Sequence, residues 1–290
     1  MLLRSPIVAL GALLLAAGCT VTGDADDAGA AMQARAGSLA IVQVEREAGE
    51  DDPDVATPRA VLGAAFARYR GLDGRAVIEL LGGRAVPVGA CALAGADGAA
   101  FAAPEAEVEL MDVGDLEVRV AGTRTRLVPR AFPDLAGLVS GAFYAEDATL
   151  GPAVAEVDEY VVRADGSEAV PPFEVVVVAP PGFSEVMVDG VEAGAVDGLT
   201  RGEDVELAWD GGDPRDRVEI DVAAGGDVLQ CVARDDGAFR VPGALLAELQ
   251  GDEEARLVFR RVRQQTFDAE GVDTAWVSVA TSRTIRLPVE

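Results

Sequence analysis

The chain has 290 residues, a formal charge of −26 and a hydrophobic half. That length leaves room for a sizeable core and about two domains of ~150 residues. The charge repels nucleic acid and anionic head groups, so nucleic-acid binding is disfavoured. The chain contains no histidine, lysine or asparagine. Without histidine, Ser-His-Asp and Cys-His nucleophiles and histidine zinc sites are excluded. Without lysine there is no phosphate loop of the G-x-x-x-x-G-K-[ST] type. Carboxylate chemistry is what remains. A glycosidase needs two acids ~5–9.5 Å apart in a cleft, but among 50 acids some pair meets that spacing by chance.

The first element is the signal. Arg4 supplies a positive start, residues 7–17 are small or aliphatic, and Leu15-Ala16-Ala17-Gly18-Cys19 follows. The apolar run is shorter than the ~20 residues a spanning helix needs. This stretch resembles the lipobox of bacterial lipoproteins, an ordinary signal peptide with an incidental cysteine being the alternative. The resemblance implies cleavage after residue 18 and lipidation of Cys19, so that membrane lipid is a partner through Cys19. Thr20, where enteric sorting would use aspartate for inner-membrane retention, points to the outer membrane and a cell-envelope location. Two or more acyl chains anchor stably, at ~0.8 kcal/mol per buried CH₂.

Residues 19–37 read as a flexible tether of Ala, Gly and Asp. Residues 38–45 (SLAIVQVE) are the first strand-like run. Residues 47–54 form an acidic stretch whose spacing fits no EF-hand loop, so they read as a solvated loop. Residues 59–70 (RAVLGAAFARYR) carry helix-favouring alanines, yet Leu62, Ala64 and Phe66 also share one side of a strand, and a strand is expected. Short strands are expected at 77–81, 87–93, 108–111 and 116–120. Arg124, Arg126 and Arg130 take the outward positions of another. Residues 132–153 are poorly patterned and read as a long loop. Residues 157–163 pair with 173–179, and Val175 to Val178 read as buried on both sides. Pro180-Pro181-Gly182 marks a domain junction.

The second half alternates more strictly. Val205, Leu207 and Trp209 share one face, as do Val218, Ile220 and Val222, and then Leu229, Cys231 and Ala233. Asp210-Gly211-Gly212-Asp213-Pro214 and Asp235-Asp236-Gly237 are turns by residue chemistry. Residues 242–249 (PGALLAEL) read as a helical turn or two. Leu257 and Phe259 follow. Trp276, Ser278 and Ala280, then Ile285, Leu287 and Val289, are expected to line one face of the last strands. Trp209 and Trp276 are therefore expected in the core rather than as sugar platforms.

The fold class is all-β: two tandem β-sandwich, immunoglobulin-like domains, 38–180 and 181–290, after a signal peptide (1–18) and tether (19–37). The runs VELAWDGGDPRDRVEI and LQCVARDDGAFRVPGALLAEL are similar to bacterial exported and lipid-anchored proteins in which these segments form a C-terminal β domain. VELMDVGDLEVRV and PPFEVVVVAPPGF resemble the partner domain of the same group. The likeness implies fold and not activity. Cys91 and Cys231 could pair outside the cytoplasm. Because Cys231 shares its face with Leu229, the expectation leans to two free thiols.

No catalytic residue, cofactor or metal ligand is assigned, and no enzyme is expected. The expected function is that of an envelope-anchored, non-catalytic structural or protein-binding module. The alternatives are a Ca²⁺-dependent module using Asp210, Asp213 and Asp216, or Asp235 and Asp236, and a carboxylate hydrolase with a raised-pKa acid in a deep pocket.

Overall fold

The structure, a computed structural model, describes residues 36–47, 59–94, 106–131, 138–149, 159–250 and 254–289. The lipobox with Cys19, the tether up to residue 35 and the acidic residues 48–54 lie outside them.

Period-two patterning builds nearly everything that is described. β1 (Ala36–Glu47) and β2 (Arg59–Arg70) pair antiparallel along their full length. In β2, Leu62, Ala64 and Phe66 face one core, while Ala65 and Ala67 face another. Pairing on both edges and burial on both faces override the alanines' helix preference. The first half continues with α1 (Gly74–Leu80), β3 (Ala90–Leu93), β4 (Glu107–Leu110), β5 (Leu116–Val120), β6 (Thr123–Ala131), β7 (Val139–Thr149), β8 (Glu159–Ala164) and β9 (Phe173–Val178). The second half carries β10 (Val186–Val188), β11 (Val191–Glu192), β12 (Val205–Trp209), β13 (Asp216–Ala224), β14 (Asp227–Arg234), β15 (Ala238–Val241), the single turn α2 (Gly243–Leu246), β16 (Glu254–Thr266) and β17 (Thr274–Pro288).

The fold is all-β, with one large and one small sheet. The large sheet runs β3-β14-β13-β16-β17-β1-β2-β4-β7-β6-β5-β8-β9, and the small one runs β11-β10-β12-β15. The large sheet continues across the junction expected at Pro180-Pro181-Gly182. β1 and β3, from before that point, pair with β17 and β14, from after it.

Two apolar cores lie on one face of this sheet. Val42 and Val44 of β1, Phe66 of β2 and Val277 and Val279 of β17 pack under Val118, Val162 and Val177 of β5, β8 and β9. Ile220, Leu229, Leu257, Phe259 and Leu287 pack under Val188, Leu207 and Trp209 of the small sheet. Because Val277, Val279, Ile285 and Leu287 share one parity on an unbroken β17, both cores sit on the same side. A third, smaller cluster lies on the opposite face, where Val77 and Ile78 of α1 cover Leu39, Ile41 and Tyr69.

Several local expectations change. Residues 77–80 belong to helix α1 and Leu81 is its C-terminal cap, because the Asp73 side chain accepts from the Ala76 N–H at 2.8 Å and starts the helix; a five-residue apolar run does not by itself separate strand from helix. Residues 139–149, read as loop, are β7, held between β2 or β4 on one side and β6 on the other. Val175 and Val177 are buried, but Val176 and Val178 are about two-fifths exposed, so β9, an end strand of the sheet, is buried on one face. Trp276 and Ile285 lie on one strand at opposite parity, so they do not share a face. Trp209 is in the core, 6% exposed, and Trp276 is half-buried on the other side.

Cys91 and Cys231 form a disulfide, against the lean to free thiols. That lean placed Cys91 in a separate sandwich. In the structure β3 is added to the edge of the same sheet, beside β14, with Cys91 directly opposite Cys231. Both face the second core, so Cys231 points inward and still meets its partner.

Between the two cores runs a polar seam centred on Arg261 and Asp235, both with side chains fully buried. Arg261 Nε lies 2.8 Å from Asp235 Oδ2. Its Nη1 donates to the carbonyls of Gly182 at 2.9 Å and Pro181 at 3.3 Å, and its Nη2 to that of Asp210. The Phe183 ring lies 4.5 Å from the guanidinium carbon. Trp209 Nε1 donates to Asp235 Oδ1 at 2.8 Å. Gly212 must lack a side chain, since a Cβ there would stand 1.8 Å from Asp235 Oδ2.

Replacing Arg261 with Met leaves Asp235 buried without its cation and is expected to destabilise by roughly 3–5 kcal/mol. Adding Asp235→Leu should cost less than the sum of the two single changes, by coupling within one network. Urea unfolding of the four species measures this; strict additivity would show that the pair does not act as a unit. For the disulfide, peptide mapping without reduction should recover Cys91 linked to Cys231. Cys231→Ser should lower stability by about 3–5 kcal/mol, given the long loop that the bond closes.

Candidate ligand-binding groove

The face of the large sheet that carries neither main core holds a groove of about 600 Å³. Its floor is β13, β16, β17 and β1, and its wall is α1 with residues 81–88. The wall is held by local contacts. Arg75 donates to the Ala85 carbonyl, and Gly83 N–H donates to the Ile78 carbonyl at 2.8 Å. A Cβ at Gly83 would stand 2.5 Å from Ile78 Cγ2, so the chain turns back against α1 only with glycine there.

Register places the floor side chains in rows. Thr266, Trp276 and Ile41 are cross-strand neighbours, as are Gln264, Ser278 and Gln43 in the next row. Val262, Ala280 and Glu45 form the third, and Arg260 lies beyond it, paired with Ser282. Side chains two apart on a strand share a face, so one end of the groove is aromatic, the middle is amide and hydroxyl, and the far end is ionic.

The ionic end is a closed network. Arg84, from the wall, places Nε 2.6 Å from Glu219 Oε2 and grips Asp221 with both terminal nitrogens. Arg260 bridges Glu45 and Asp221, at 2.6 Å to each. Arg217 Nε donates to Glu219 at 2.9 Å, and its Nη1 donates to the Gln264 side-chain oxygen. Burial alone would raise the Asp221 carboxyl, but the Arg84 and Arg260 guanidiniums outweigh it and hold the group below the usual carboxylate range. Burial alone would lower the Arg260 guanidinium, but the Glu45 and Asp221 carboxylates outweigh it and hold the group above its ordinary value. Asp221 therefore stays ionised at neutral pH and serves as an acceptor, not as a proton donor.

The acids singled out in the sequence lie elsewhere. Asp210 Oδ1 accepts the backbone N–H of Ser184 at 3.0 Å, and Asp213 accepts from Arg215. Asp216 binds Arg263 through two 2.7 Å contacts. Asp235 belongs to the buried seam, and Asp236 is exposed. Asp210 and Asp235 meet at Arg261, and Asp213 and Asp216 at Arg263, so these four acids are already occupied by cations. Among the described residues no group of three or more His, Cys, Asp or Glu could hold a metal ion. Cys19 lies outside the described residues.

The groove residues were missed because they come from four strands and a loop brought together only by pairing. One signal was present. Val262 and Ala280 alternate out of phase with the core residues Phe259 and Val279, which marks the second face of β16 and β17 as covered.

No family model matches the chain, and no curated protein matches it. Among solved structures, a chain from work on the host cell surface retention of a 1.5-MDa bacterial ice-binding adhesin is similar at 14% identity and a TM-score of 0.22. The alignment covers 88% of this chain, which spans 65% of the length of that one. Likeness at that level carries no argument about fold or function. No helix among the described residues is long and apolar enough to cross a membrane.

Asp221→Asn leaves two arginines short of an anion and should destabilise by roughly 3 kcal/mol at pH 7. The folded-state carboxyl is depressed, so this stabilisation is complete above the unfolded value of ~3.9 and is lost as pH falls through the lower folded value. The gap between wild type and variant, followed by urea midpoint against pH, should therefore close below about pH 4. A gap that stays unchanged as pH falls well below about 4 would show that Asp221 is not held by its arginines.

Proposed function

We propose that this protein is a lipid-anchored envelope module that holds a partner in its groove and performs no chemistry on it. The anchor rests on the lipobox and Cys19. The β-sandwich-like pairing of layers on one face, with a concave site left on the other, supports a rigid scaffold presenting a binding surface.

The observation that carries the reading is the make-up of the groove. Half-buried Trp276 and a row of amides and hydroxyls offer contact area and hydrogen bonds. The charged residues beside them are spent on one another. An acid–base enzyme needs a group whose proton is poised near the working pH, whereas Asp221 is driven away from that range. Interlocked arginines and carboxylates instead make a pre-ordered surface, which limits the entropy lost on binding. Calcium binding through the turn acids has less support, because Asp210, Asp213, Asp216 and Asp235 already have donors.

The test is made in cells with the anchored chain. A photo-reactive benzoyl-phenylalanine replaces either Gln264, exposed at the groove, or Glu206, exposed on the small sheet. Irradiation should give a discrete adduct from position 264 and none from 206. Cys19→Ser should move the protein out of the membrane fraction. Equal adducts from both positions, or none from 264, would remove the groove as the site. A variant still bound to membrane would remove the anchor.

A further inference from the structure

We propose that the groove is a site for a neutral saccharide chain, with a sugar ring stacked on Trp276 and its neighbours' hydroxyls on the Gln43–Ser278–Gln264 row. The inference rests on the groove being the ligand site and names what fills it.

Three observations converge on this chemistry. The first is charge. Arg84, Arg217 and Arg260 are matched by Glu45, Glu219 and Asp221, so the ionic end offers a ligand no net charge. The chain around it carries −26, which disfavours polyanions. A neutral ligand meets neither obstacle.

The second is the kind of hydrogen bond on offer. A sugar hydroxyl both donates and accepts, and so do the amides and hydroxyls of Gln43, Gln264, Ser278, Thr266 and Thr274. Arg217 already occupies the Gln264 side-chain oxygen, so that residue has its amide N–H groups to give. Thr274, Trp276, Ser278 and Ala280 follow one another on one face of β17, spanning about 20 Å at ~3.3 Å per residue. That is a track for a chain of rings, not a hole for one. The aromatic ring at its head can take the C–H face of a sugar, as amphipathic aromatics do at wet interfaces.

The third observation separates a saccharide from a peptide. Peptides are commonly held on sheets by adding a strand to a free edge. The floor strands β13, β17 and β1 are paired on both sides where they line the groove, as is β16 from Arg256 to Arg263, while its residues Gln264 to Thr266 pair with β17 alone. Most of the floor backbone is therefore committed to neighbours, and the floor reads a ligand mainly through side chains. That suits a ligand whose polar groups are hydroxyls spread around rings.

The test uses the purified full chain in a detergent that contains no sugar. Calorimetry is run with cellohexaose, chitohexaose, maltohexaose and mannohexaose, with a hexauronate as the charged comparison and a phage library of uncharged peptides as the protein comparison. At least one neutral hexasaccharide should bind and change the tryptophan emission. Trp276→Ala should weaken it by about ten-fold or more, with Trp276→Phe intermediate, consistent with loss of an aromatic contact. Gln264→Ala, at an exposed position, should weaken it by about three-fold and keeps the test open if the tryptophan variants fold poorly. Thermal midpoints of the variants used should match wild type.

The proposal is overturned if no neutral saccharide binds, or if Trp276→Ala binds as tightly as wild type. Preference for the hexauronate, or for a peptide whose binding Trp276→Ala abolishes, overturns it as well. A groove adduct at position 264 that persists in those cases would leave the binding module standing and remove only the saccharide.

Discussion

The buried guanidinium of Arg261 is the contact on which the architecture turns. A charge fully removed from water is costly unless it is paired and hydrogen-bonded. Here Asp235 supplies the counter-charge, and three carbonyls, from Pro181, Gly182 and Asp210, accept from the two terminal nitrogens. Those carbonyls belong to the segment that leaves β9 for the small sheet and to the turn after β12. One side chain on β16 thus pins the chain's crossing point to the middle of the large sheet. Thr281 on β17 continues the seam, donating to the Pro180 carbonyl at 3.2 Å and accepting from Arg46 at 3.3 Å. The two cores on that face are divided by polar groups that specify where the chain passes between them.

That division leaves the opposite face with a different task. One side of β16 and β17 is buried under two layers, and their central residues are paired on both edges, so the strands are rigid there. On the other side the same strands display Arg260, Gln264, Trp276 and Ser278 at spacings set by the pleat. Sites built on strands hold their side chains more precisely than sites on loops. The wall of α1 and residues 81–88 is fastened at its base by the Asp73 cap and farther along by Arg84, which reaches into the floor. The groove therefore combines a stiff floor with a wall tied to it by charge.

The use of arginine for every cation matters to both places. A planar guanidinium can bridge two carboxylates at once, as Arg84 and Arg260 do, or satisfy a carboxylate and several carbonyls, as Arg261 does. In a chain with twice as many acids as bases, such bridging removes the strongest repulsions from the sheet interior and leaves the excess negative charge to the outside.

Alternation in residues 205–241 and 254–288 was enough to read most strands of the second half and their inward residues, because one face of each was to be buried and period two records that directly. The choice of strand for residues 59–70, made against their alanine content, and the placement of Trp209 in the core rest on the same signal. What a single sequence does not carry is which strand lies beside which. The partnership of β1 with β17, some 235 residues away, and the addition of β3 to β14 bring Cys91 opposite Cys231 and set Gln43 beside Ser278. The residues involved have no local pattern that names their partners, since strand pairing is satisfied by backbone groups that every residue has in common. Trp276 shows the limit most clearly. Its alternation was visible, but the assignment of its parity to the core or to the groove depended on β17 being one unbroken strand, with Val277 and Val279 already turned to the other side.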